Sequence, residues 1–131
     1  MENKTKFEII TPSKTVVNEN VEMVVVPGSE GYLGVLHLHA PTLSSLNQGI
    51  ISVYENNKIT KQIIIDGGIV DVQPEGCVVL SEKAVSLSDL DKKNIEKQLS
   101  EYNEKLSQTN DDIEKDTHSN EISWLKFILE N

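Results

Sequence analysis

The chain has 131 residues, one cysteine and a formal net charge of −9, and each of its 12 basic residues is a lysine. That length gives one ordinary core plus an appendage and argues against two full domains, which commonly need about 100 to 150 residues each. Both halves are acidic, which argues against a counterion-releasing nucleic-acid surface and against a polybasic membrane patch; the absence of arginine removes bidentate phosphate clamps, and a lone Cys77 leaves no internal disulfide.

The opening stretch MENKTKFEII has neither an apolar leader core nor an arginine-rich amphipathic pattern, and no run approaches the ~18 apolar residues of a membrane span, so a soluble, non-exported protein is expected. From residue 5 to about 84 the apolar runs are short and β-branched: KFEII, TVV, VEMVVV, YLGVL, GIISVY, ITKQIIID, GIVDVQ and CVVL. Turn chemistry separates them at Thr11-Pro12-Ser13, Pro27-Gly28, Asn56-Asn57, Gly67-Gly68 and Pro74-Glu75-Gly76. Eight or more short strands without an intervening helix predict an antiparallel sandwich or flattened barrel over residues 1–86. Cys77 in the run CVVL is expected to be a small buried thiol.

After Ser86 the period changes. Ser88 is expected to cap a helix with Asp89 and Asp91 in its first turn, and Ile95, Leu99, Tyr102 and Leu106 step by four, three and four along one face. The segment Ser107 to Asp112 breaks it, and Ser119 to about Glu130 predicts a second helix through Ile122, Leu125 and Leu129, widened by Trp124 and Ile128. Residues 87–131 therefore read as a helical hairpin, whose short helices need tertiary contacts because isolated helices under about 12 to 15 residues are marginal.

Residues 26 to 49 carry the most distinctive chemistry. Gly28, Gly31 and Gly34 match neither the dinucleotide fingerprint nor a Walker loop. His37 and His39, two apart, would face one side of a strand, but only His118 and Cys77 remain as further soft ligands, without motif spacing. Ser29 lies in Gly-Ser-Glu-Gly, not in a nucleophile elbow, and the paired carboxylates fall on the helical tail. What the residues favour is a protein-docking loop, Tyr32 and Leu33 held between glycines and His39-Ala40-Pro41 fixing the exit; a plain strand connection stays open.

The run Val26-Pro27-Gly28-Ser29-Glu30-Gly31, then Gly34-Val35, His39-Ala40-Pro41, and Gly67-Gly68 followed by Val72-Gln73-Pro74, resembles the epsilon subunit of F-type ATP synthases over about residues 5 to 95. The resemblance implies a ten-stranded β-sandwich followed by two antiparallel helices. It also implies a rotor part without catalysis or cofactor, clamped to the central-stalk gamma subunit and resting on the polar loops of the c-ring. By position, Glu30, Gly31 and Tyr32 would form the tip facing the c-ring, and Thr11, His39, Ala40, Ser44 and Asp71 would lie toward gamma. The tail would reach the alpha/beta catalytic head through an apolar grip of Trp124, Leu125, Ile128 and Leu129. The isolated chain would be a monomer, and the assembly would sit on the cytoplasmic side of a bacterial inner membrane.

Three departures from the family pattern stand out. His37-Leu38 replaces a Pro-Gly, so a different loop path is expected, and Tyr32 replaces an acidic or polar residue. The nucleotide motif of some relatives is degenerate here: Leu90, Asp91, Lys92, Lys93, Asn94 and Ile95 lack its arginine and alanine, so no ATP binding is expected. A tail at −5 facing an acidic lever would be a weak latch for ATP hydrolysis. The rival reading is a free-standing β-sandwich binding module whose helical tail dimerises.

Overall fold

In a computed structural model, residues 4–131 are described, so the first three residues of the opening stretch lie outside. The chain divides into two compact units, the first ending at Asp89 and the second Leu90–Asn131.

The first unit is built from eight strands: β1 (Thr5–Ile10), β2 (Thr15–Val21), β3 (Met23–Gly28), β4 (Gly31–Leu36), β5 (Thr42–Glu55), β6 (Lys58–Gln73), β7 (Gly76–Leu80) and β8 (Ala84–Ser86). Their hydrogen-bonded order is β2-β1-β7-β6-β5-β3-β4, with β8 beside β6. β5 and β6 have 14 and 16 residues, and pair with each other from Thr42↔Val72 to Glu55↔Lys58. Along its other side β6 pairs with β8 at Ile63–Ile65 and then with β7 at Ile69–Gln73. Each long strand thus serves both layers, so eight strands supply ten strand segments: β2-β1-β7-β6-β5 in one layer and β8-β6-β5-β3-β4 in the other.

Gly67-Gly68 makes this possible. Sequence chemistry reads it as a turn between separate strands; it is a bend inside β6, with φ +78 and +135, and a Cβ on Gly68 would collide with the Leu80 carbonyl oxygen. Only glycine accommodates both constraints. The strands pair antiparallel with one exception: β1 runs parallel to β7, with Phe7 opposite Cys77 and Ile9 opposite Val79.

Alternation puts one contiguous core between the layers. Phe7 and Ile9 of β1, Val24 and Val26 of β3, Ile51 and Val53 of β5, and Val70 and Val72 of β6 are fully buried, with Cys77 among them. Burial, with the charge of nearby Asp71 adding to it, pushes the Cys77 thiol from the usual 9.0 up to about 12.

In the second unit α1 (Lys92–Gln108) and α2 (Asp112–Glu130) form a hairpin across a three-residue connection. Two details differ from expectation. The cap of α1 is Asp91, whose carboxylate accepts from the Lys93 and Asn94 amides at 3.1 and 3.3 Å, while Ser88 and Asp89 belong to a short 3-10 turn. Helix α2 starts seven residues before Ser119, because Asp111 caps it by accepting from Ile113 N at 2.8 Å and Asp112 and Glu114 suit the dipole of its first turn. Inside the hairpin the Tyr102 and His118 rings lie 5.7 Å apart, with Lys105 Nζ 4.9 Å from the Tyr102 centroid.

Candidate docking surface

The hairpin β3–β4 turns through Ser29 and Glu30, with Gly28 opposite Gly31. Gly31, which follows this two-residue loop, holds φ +127, a conformation that L side chains rarely adopt. Glu30, Gly31 and Tyr32 are all exposed, Tyr32 at 67%. The Ser29 amide donates to the Ser45 carbonyl at 2.9 Å, which ties the tip to β5.

The residues expected to face gamma are spread over four places. Asp71 is exposed on the outer face of the β2-β1-β7-β6-β5 layer and accepts from Gln73 Nε2 at 3.0 Å. Thr11 is buried, and its hydroxyl donates to the Lys14 carbonyl at 3.1 Å within the β1–β2 turn, so it shapes that turn and offers little surface. His39 and Ala40 occupy the β4–β5 connection, where His39 Nδ1 lies 2.7 Å from the Ala40 carbonyl oxygen. Ser44 borders the same open groove as Glu30, Gly31 and Tyr32, between β4 and the first residues of β5.

His37 and His39 do not share a strand face, since both lie in that connection. The connection also meets the loss of a glycine by holding Leu38 itself at φ +62, its amide donating to the Pro74 carbonyl at 3.1 Å. Among the described residues no three His, Cys, Asp or Glu side chains converge as a metal site.

Register exposes what residue patterns hide. Residues directly opposite in a ladder point to the same face, and the pairs Ile10↔Leu80 and Leu80↔Ile69 put three apolar side chains in one row across β1, β7 and β6. All lie on the outer face, since their neighbours Ile9, Val79 and Val70 fill the core. Leu43, opposite Asp71, joins the same face. Leu43, Ile69 and Leu80 are exposed at 75%, 47% and 50%. Val78, opposite Glu8 and Asp71, lies on this face as well, and a contiguous apolar row marks an interaction site more than scattered single residues do.

In the second unit Asp91 is committed to capping, Leu90 and Ile95 are half-buried, and Asn94 is exposed. Trp124, Leu125 and Ile128 are buried and Leu129 is half-buried, so an apolar grip on another protein requires them to be uncovered first.

The architecture is a β-sandwich followed by a helical hairpin. The family profile described as "ATP synthase, Delta/Epsilon chain, beta-sandwich domain" matches residues 4–87. Curated relatives named ATP synthase epsilon chain include that of Rhodospirillum rubrum, 35% identical over 88% of this chain and 86% of the relative. The chain of Rhodospirillum centenum is 39% identical over 88% and 82%, and that of Parvibaculum lavamentivorans 32% over 98% and 97%. Among solved structures, a chain of the Euglena gracilis mitochondrial ATP synthase, an OSCP/F1/c-ring assembly, superposes with TM-score 0.69 at 25% identity, covering 99% of this chain and 81% of that one. This chain belongs to the ATP synthase epsilon-chain family, whose members are non-catalytic subunits. No helix among the described residues is long and apolar enough to cross a membrane.

Proposed function

We propose that the chain acts as the central-stalk epsilon subunit of an F-type ATP synthase. The outer face of the β2-β1-β7-β6-β5 layer clamps the gamma subunit, and the Ser29-Glu30 tip rests on polar loops of the c-ring. The observation that carries this is the outward row of exposed Leu80 and Ile69 and half-buried Ile10, with exposed Leu43 beside it. Buried apolar anchors are what hold a stable interface, and a polar rim such as Asp71 sets its register. Tyr32 gives the tip an apolar body with a hydroxyl end, suited to a mixed contact. Such partners make the protein peripheral, on the cytoplasmic side of a bacterial inner membrane, a reading supported by its bacterial relatives.

The helical unit is at most a weak regulator. Its apolar residues Trp124, Leu125 and Ile128 are buried, and its acidic balance repels an acidic target. Deleting residues 90–131 should leave the ATP hydrolysis rate of the assembled enzyme nearly unchanged; a severalfold rise contradicts the weak-latch reading.

The clamp is tested by Ile69→Asp combined with Leu80→Asp. Both side chains are half-exposed, so the free chain should keep its Tm within the small range of surface changes, ~0.5 kcal/mol or less. Retention by co-expressed gamma should fall at least about tenfold, because two unpaired charges enter the interface. Undiminished retention contradicts the assignment of this face.

A further inference from the structure

The free edge of β4 is unguarded. Exposed sheet edges are normally protected by charge, proline, a bulge or extreme shortness. β2, at the opposite end of the strand order, carries Asn18, Glu19 and Asn20, with Glu19 held by Lys61 at 2.9 Å, and β8 is only three residues long. β4 is six residues, GYLGVL, with no charge and no proline.

Its hydrogen-bonding groups are aimed outward at known positions. Pro27 lies opposite Tyr32 and has no N–H, so this pair does not exchange ladder bonds, and the Tyr32 amide points away from β3. Backbone groups two residues apart point the same way, which extends the outward set to Gly34 and Leu36. The Leu36 carbonyl accepts from the His39 amide at 3.1 Å, outside the β3–β4 ladder, in agreement with that parity.

Gly34 is the second observation. Its φ is not positive, and a Cβ there would meet only Met23 Sδ at 3.9 Å, an ordinary contact with a flexible side chain. Nothing within the unit calls for glycine, yet glycine weakens a strand; in that setting it marks the close approach of another backbone. On its face of the strand it is a notch between Tyr32 and Leu36, exposed at 67% and 54%.

We propose that β4 receives one additional strand, an extended segment of the gamma subunit that is free of acidic residues and sets a bulky apolar side chain over Gly34. Two arguments select that occupant. Glu30 at the head of the edge and the net charge of −9 disfavour both an acidic segment and a second copy of this chain. The groove beside β4 also runs from Tyr32 to Leu43 and Ser44, continuous with the face assigned to gamma. The proposal rests on that assignment and adds a backbone-paired seam to it, of the kind by which sheet edges capture extended segments.

The test is single-residue amide hydrogen exchange on the full chain, alone and co-expressed with gamma. Alone, the Tyr32 and Gly34 amides exchange fast while those of Leu33 and Val35, bonded to β3, are protected. In the complex, Tyr32 and Gly34 become protected. In parallel, Gly34→Val leaves the Tm of the free chain equal or higher, since the space is open, and weakens gamma binding about tenfold or more. Fast exchange at both amides in a complex that does form, or unchanged binding by Gly34→Val, overturns the seam and leaves the clamp standing. Protection that grows with the concentration of the chain alone assigns the edge to a second copy and overturns the named occupant, and failure of any complex to form overturns both readings.

Discussion

Leu38 shows how much a single residue can be asked to absorb. It holds φ +62 with its side chain 68% exposed, a conformation that glycine adopts freely and that strains L-residues other than asparagine and aspartate. Leu38→Asn keeps the backbone donor and suits that conformation, so it should stabilise the free chain by about 0.5 to 1 kcal/mol, read as a higher urea midpoint at constant m. A lower midpoint would mean that the leucine side chain contributes to folding after all. Cys77 makes a second prediction. Its folded thiol ionises only near about 12 against the usual 9.0, so the folded chain disfavours the thiolate that the unfolded chain forms readily. The corresponding stability is fully present below pH 9.0 and is lost progressively as pH rises toward about 12, a loss that Cys77→Ala should remove. Folded protein should resist alkylation at pH 8 and react once denaturant is added.

At the scale of elements, the division into a period-2 body and a period-3.6 tail is legible in the residues, because core alternation and helical stripes are both made by apolar spacing. The half of β5 from Thr42 to Gln48 is not, since TLSSLNQ carries no apolar run and pairs only because β6 continues past its glycine bend. The first turns of α2 are equally silent: DIEKDTHS has a single apolar residue, the exposed Ile113, and only His118 is half-buried, so the capping aspartate alone announces the helix. The apolar outer row escapes for the opposite reason. In runs such as CVVL and GIVDVQ an outward Leu80 or Ile69 looks like one more core residue, and only the ladder register separates the two faces. The tip is the part of the site most readable in sequence, because its loop chemistry is local. At the head of α1, Asp91→Ala should cost about 1 kcal/mol by removing a cap that serves two amides. With the Asp91 carboxylate occupied by that cap and no arginine in the chain, titration calorimetry should show no saturable binding near millimolar ATP. Tighter binding would refute this.

For the whole molecule, the two long strands that cross between layers join the tip and the outer face into one body. A load applied at the tip is therefore carried along continuous β5 and β6 and not through loops. A sandwich of this kind suits a part that transmits torque, and in the proposed function its surface carries two contacts, a polar-aromatic tip and an apolar face. The rival reading, a stand-alone module that dimerises through its tail, makes a different demand: the chain must then associate with itself. Size-exclusion chromatography with light scattering, on the purified chain alone and after addition of gamma, separates the two most directly. A monomer that moves quantitatively into a one-to-one complex is the predicted result; a homodimer that survives high salt and ignores gamma would contradict the account.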